Sequence, residues 1–127
     1  MEVKAYACYN VDDKIRNQSS SGGFFSVLAD YWLELDRNQS KLNVVYGVAM
    51  AKDCYSAEYI RITNKMDIRK LRGSKYIQAN VGNTFNMVKK DLDASRNVLF
   101  SGTGCVINGL KKFLQKEYEN QIGRAHV

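Results

Sequence analysis

The chain has 127 residues, 45% hydrophobic and 25% charged, which suits one globular domain or a large piece of one and excludes a fibrous or low-complexity chain. No apolar run approaches the ~18 residues that span a membrane. Three cysteines, Cys8, Cys54 and Cys105, lie too far apart for a close-spaced zinc or iron–sulfur motif. Their odd number, with no signal-peptide pattern, predicts free thiols in a reducing cytoplasm. The net charge is +6, and residues 61–75 concentrate it: Arg61, Lys65, Arg69, Lys70, Arg72 and Lys75 face only Asp67. Such a stretch is commonly a solvated face, and otherwise meets an acidic protein or a phosphorylated ligand. The eight tyrosines and Trp32 are scattered rather than grouped as a base-stacking platform, so nucleic acid is not the expected partner.

Residues 3–9 are rich in β-branched and aromatic side chains and predict a first strand, with a turn over residues 10–13. Residues 14–21 are polar. Ser19, Ser20, Ser21, Gly22 and Gly23 then precede Phe24, Phe25, Val27, Leu28, Tyr31, Trp32 and Leu35, which keep a helical period to about Asp36. The N-cap of that helix is expected among the serines. A Ser/Gly run is often a linker, but its place directly before an amphipathic helix favours an anion-binding turn.

Residues 42–50 form a nearly continuous apolar run, as in a strand buried on both faces. A turn containing Cys54 separates it from residues 57–63, whose alternation predicts a strand with one exposed face. Asn64 caps a short helix over residues 65–71 that ends at Arg72 and Gly73, and residues 74–79 are expected to be extended. Residues 82–95 place Phe85, Val88 and Leu92 on one face of another helix.

Residues 97–110 read as a strand (Val98, Leu99, Phe100), a tight turn (Ser101, Gly102, Thr103, Gly104), then a helix carrying Val106, Ile107, Leu110, Phe113 and Leu114. Glycines at 102 and 104 let backbone approach a ligand, and the free N–H groups of the helix's first turn favour an anion. Cys105 falls in that turn, where a thiolate is stabilised; on residue chemistry alone a lone cysteine reads rather as a small buried apolar residue. Alternating strands and helices predict an α/β fold, a mixed and partly parallel sheet with flanking helices, as a single domain over residues 1–121. The Gly102 turn then falls beyond the carboxyl end of a strand, where open α/β sheets bind ligands. Residues 122–127, Ile-Gly-Arg-Ala-His-Val, match the translation of a common sequencing-adapter read and are set aside as a foreign tail. The sole histidine, His126, lies there, so Ser19, Ser20 and Ser21 have no base to make them nucleophiles.

Three segments in this order, residues 19–26 (Ser-Ser-Ser-Gly-Gly-Phe-Phe-Ser), 70–78 (Lys-Leu-Arg-Gly-Ser-Lys-Tyr-Ile-Gln) and 99–110 (Leu-Phe-Ser-Gly-Thr-Gly-Cys-Val-Ile-Asn-Gly-Leu), resemble the coenzyme F420 hydrogenase/dehydrogenase beta-subunit family. The resemblance covers most of residues 3–120 and implies a fragment, the N-terminal part of a flavin-dependent body. It implies an FAD-dependent oxidoreductase component that passes electrons between iron–sulfur centres and a soluble carrier or substrate. Its partner is then a redox protein or iron–sulfur module, with any 4Fe-4S cluster held outside this chain. Cofactor contacts are implied at Ser20, Ser21, Gly22 and Gly23, at Arg72, Ser74 and Lys75, and at Ser101, Gly102, Thr103, Gly104 and Cys105. No catalytic residue and no metal ligand set is assigned. The family usually has Pro where Gly104 stands, Gln where Val106 stands and Ala where Asn108 stands, which makes this turn looser. The alternative, from a different class, is a noncatalytic module that binds a phosphorylated ligand or acidic partner through residues 61–75.

Overall fold

The apolar run Asn43–Met50 forms β1, at the centre of a four-stranded sheet ordered β3-β2-β1-β4. The computed structural model describes residues 4–19, 23–35, 43–73, 75 and 77–114. β2 (Ala57–Ile62) returns antiparallel to β1, with Val45 opposite Ile62 and Met50 opposite Ala57. β4 (Asn97–Phe100) runs parallel to β1, with Asn43 opposite Asn97 and Tyr46 opposite Phe100. The short β3 (Ala79–Asn80) adds parallel to β2. The sheet is therefore mixed and partly parallel, as expected.

Alternate residues of β1 serve two cores. Val45 and Ala49 face α2 (Phe24–Glu34) and a 3-10 helix, Lys65–Leu71, in a cluster with Ala29, Ile62, Ile68 and Leu71. Val44 and Tyr46 face α3 (Thr84–Asp93) and α4 (Gly104–Leu114), with Val88, Leu110 and Leu114. Both faces are covered, which is why β1 carries no polar alternation.

The helices are oriented by their ends. The Trp32 indole N–H donates to Val44 O at 3.1 Å and Asn43 Nδ2 donates to Trp32 O at 2.7 Å, so the end of α2 lies at the start of β1. Phe85, in the first turn of α3, lies 6.5 Å ring to ring from Phe100, the last residue of β4. α4 begins where β4 ends. The first turns of all three helices therefore lie at the end of the sheet where β1 and β4 finish.

Three expectations are corrected. Residues 4–9 form no strand; their side chains are exposed and no sheet neighbour lies beside them, and β-propensity without a partner ladder does not make a strand. The residues after them, read only as polar, include α1 (Asp13–Asn17), whose N-cap Asp12 accepts from Lys14 N and Ile15 N. The N-cap of α2 is Gly23, not a serine, at φ +75 with no side-chain cap. A Cβ there would sit 3.1 Å from Asn10 Cβ, so glycine is required by conformation and by space. Ser19 instead turns its hydroxyl back to Ile15 O at 2.6 Å, closing α1. Asn64 does cap the 3-10 helix, accepting from Met66 N, whereas of the described residues in the extended segment expected at 74–79 only Ala79 joins a strand. The tail at 122–127 lies outside the described residues.

Candidate functional site

Arg72, 49 positions beyond Gly23 in the chain, reaches the first turn of α2. Arg72 Nε donates to Ser26 Oγ at 3.1 Å, and its NH1 donates to Gln18 Oε1 at 3.2 Å. Lys75 Nζ folds back onto the carbonyls of Arg72 (2.6 Å) and Gly73 (3.0 Å). Burial holds the Lys75 ammonium below its ordinary pKa. Among the described residues, then, two half-buried cations are held by neutral oxygens only. Arg72 stands beside a helix start whose N-cap residue, Gly23, offers the free N–H groups no side chain. An anion at this place would supply the missing counter-charge and the missing acceptors. Ser20, Ser21, Gly22 and Ser74 lie outside the described residues.

The turn is fastened by Asn10, 6% exposed, whose Nδ2 donates to Gly23 O at 3.4 Å while its Oδ1 accepts from Asp12 N at 2.9 Å. Arg16 NH1 donates to Asn10 O at 3.1 Å. Sequence reasoning missed Asn10 and Gln18, because each acts on residues far along the chain and neither belongs to a local pattern.

The second predicted turn stands at the same end of the sheet, after the strand that flanks β1 on the α3 and α4 side. Ser101 N donates to Tyr46 O at 3.0 Å, carrying the parallel ladder one residue past β4. A Cβ at Gly102 would come within 2.5 Å of the Tyr59 hydroxyl, whose ring stacks on Phe100 at 5.1 Å, so this position has no room for a side chain. At Gly104 a Cβ would meet nothing within 4 Å, so the family's proline is replaced here without any steric need for glycine. Thr103 and Cys105 are exposed, with Cys105 Sγ 3.2 Å from Thr103 Oγ1. Burial first, and the nearby Cys105 second, raise the Tyr59 phenol above its ordinary pKa. Among the described residues no hydrogen bond joins Ser101, Gly102, Thr103, Gly104 or Cys105 to Gly23, Arg72 or Lys75. The two turns share an end of the sheet rather than a contact.

The basic stretch is divided by the fold. Arg61 leaves it for the α3 face, where its Nε and NH2 donate to the two oxygens of Asp91 at 2.9 Å each. Asp91, 2% exposed, also accepts from Arg96 NH1 at 2.8 Å and from the Tyr46 hydroxyl. Burial pushes the Asp91 carboxyl upward most strongly, but the bonds from Arg61, Tyr46 and Arg96 together outweigh it and bring the pKa to about 2. Burial and then the bond to Asp91 push the Tyr46 phenol well above its usual value. Lys65 pairs with Glu34 at 2.7 Å and Asp30 at 3.3 Å, and Lys70 with Asp67 at 2.9 Å.

Among the described residues, no helix is long and apolar enough to cross a membrane, and no group of His, Cys, Asp or Glu is placed to hold a metal ion. All three cysteines are free and exposed. Neither the curated proteins nor the solved structures give a match to this chain. A family model, described as coenzyme F420 hydrogenase/dehydrogenase, beta subunit N-term, matches residues 5–85. That span contains the Gly23 turn, α2 and the Arg72 to Lys75 segment; the Gly102 turn lies beyond it. With more than half of its length matched, the chain belongs to the coenzyme F420 hydrogenase/dehydrogenase beta-subunit N-terminal family, whose description is that of a redox-enzyme subunit.

Proposed function

We propose that the chain is the N-terminal part of a flavin-dependent body that passes electrons between the iron–sulfur centres of a partner module and a soluble donor or acceptor. The observation that carries this reading is the Arg72 guanidinium at the first turn of α2, which opens at Gly23, with Lys75 folded onto the carbonyls of Arg72 and Gly73 and both cations lacking a carboxylate partner among the described residues. The residues fit an FAD pyrophosphate: Arg72 and Lys75 neutralise its charge, the first N–H groups of α2 donate to its oxygens, and Gly23 keeps the approach clear. Ser20, Ser21, Gly22 and Ser74 are assigned to the same phosphate turn. Ser101, Gly102, Thr103, Gly104 and Cys105 are assigned to the ring side, because that turn opens at the same end of the sheet. FAD supplies the electron-carrying chemistry, and the protein supplies position and field. A cytoplasmic location and one α/β domain over residues 1–121 belong to this reading.

The alternative, a noncatalytic module that uses residues 61–75 as a basic surface, has less support. Arg61, Lys65 and Lys70 already face carboxylates of the same chain.

Titration of the purified chain with FAD, followed by flavin fluorescence, tests the proposal. The expected result is saturable quenching, weakened by Arg72→Ala on the order of 10-fold or more and unchanged by Lys14→Ala on the exposed side of α1. A folded chain that gives no saturable quenching overturns it.

A further inference from the structure

Six ion pairs among the described residues join five carboxylates to cations: Asp13 to Arg16, Asp91 to Arg61 and Arg96, Asp30 and Glu34 to Lys65, and Asp67 to Lys70. Arg72 is treated differently. Its guanidinium is half-buried and is steered by two neutral acceptors, Ser26 Oγ from α2 and Gln18 Oε1 from the end of α1. Gln18 is held in place by its backbone, whose N–H donates to Ile15 O at 3.2 Å and Lys14 O at 3.3 Å. Its carbonyl lies 3.9 Å from where a Cβ at Gly73 would stand, so the residue sits against the Arg72–Gly73 segment along both backbone and side chain. A glutamate here would reach the same NH1 with the same geometry and would make a stronger bond. It would also cancel the charge.

We propose that Gln18 is a positioning residue for the anion site: its neutral amide aims the Arg72 guanidinium while leaving its positive charge available to a diphosphate-bearing ligand. This rests on the phosphate-turn reading given above. A purely structural brace and a charge-sparing one make opposite rankings of two substitutions. Gln18→Glu keeps the acceptor and removes the free charge, whereas Gln18→Met keeps the charge and removes the acceptor.

The test uses the full chain, with FAD and inorganic pyrophosphate as separate probes, and records thermal unfolding alongside. Gln18→Glu should weaken both probes on the order of 10-fold or more while unfolding at or above the wild-type temperature. Gln18→Met should weaken binding by no more than about 3-fold, the loss of one exposed hydrogen bond from Arg72 to a neutral acceptor. Asn17→Glu, the same charge one residue away, should change binding by about 2-fold or less, as a screened surface charge does. The reverse ranking, with the Met variant weak and the Glu variant normal, overturns the proposal. So does an equal loss from Asn17→Glu, because the effect would then be a general field. If pyrophosphate binds, FAD does not, and Gln18→Glu alone abolishes binding, the inference stands and the flavin reading falls. If FAD binds equally to wild type and Gln18→Glu, the flavin reading stands and the inference falls. A folded wild-type chain that takes neither probe overturns both.

Discussion

Arg61 and Arg72 belong to one basic stretch of sequence and end in opposite situations. Arg61 is closed against Asp91 in a cluster where both carboxylate oxygens are matched inside the fold. Arg72, on the other face of the sheet, is held by a hydroxyl and an amide. In the first cluster a buried carboxylate has drawn in two guanidinium groups and a phenol, and its charge is fully answered. In the second the positive charge is left over. A count of cations along a chain therefore overstates a basic surface, and what matters is how many remain after the fold has supplied their partners.

The sharpest way to break this contrast is Asp91→Ala. It should cost about 3–5 kcal/mol, because Arg61 and the Tyr46 hydroxyl lose their partner in a buried place; a loss under about 1 kcal/mol in urea unfolding would mean the cluster is not closed to water. Arg72→Ala should cost only about 1–2 kcal/mol for two hydrogen bonds from a half-buried guanidinium to neutral acceptors. Its main effect should be on ligand-induced stabilisation: the rise in unfolding temperature with excess FAD should shrink sharply in this variant and persist in Asp91→Asn.

The same contrast predicts a pH signature. Asp91 has a folded pKa of about 2, below its unfolded value, so its contribution is present above about pH 4 and is lost as pH falls through about 2. Roughly 2 kcal/mol of acid sensitivity should appear in that window and be largely absent from Asp91→Asn. Acid titration followed by circular dichroism checks this. The smallest effect concerns the segment that carries Arg96 into the cluster. Ser95 sits at φ 61 just past α3, with Ser95 N donating to Leu92 O and Arg96 N to Asp91 O, the paired bonds of a Schellman ending. Ser95→Gly should stabilise the chain by about 0.5–1 kcal/mol by relieving the left-handed strain, and a destabilisation would show that the serine side chain supports the cluster.

Much of the frame was legible because it rests on local periodicity. The continuous apolar run became β1, Phe24 opened α2, and Asn64 capped the 3-10 helix. The turn after Phe100 opened α4 at Gly104 as read. What local reading missed depends on distant partners. Residues 4–9 have the composition of a strand and no strand to join. The serines looked like a cap, but the chain crosses itself at Asn10 and leaves room there only for glycine. Of the candidate site, Gly23 came from the Ser/Gly run before an amphipathic helix as well as from family resemblance, and Arg72 and Lys75 from the resemblance. Gln18 and Asn10 became visible only once the fold brought residues 10–19 onto the start of α2.

The bond from the Trp32 indole to Val44 O has a practical side. This is the only tryptophan in the chain, and it lies on α2, the helix that the Gly23 turn opens. Eight residues of helix separate it from Phe24, roughly 12 Å at about 1.5 Å per residue. A flavin seated at the turn would therefore lie within easy reach of energy transfer from a lone donor fixed on the core. The protein carries its own optical ruler, and one emission spectrum would report occupancy and orientation without a label.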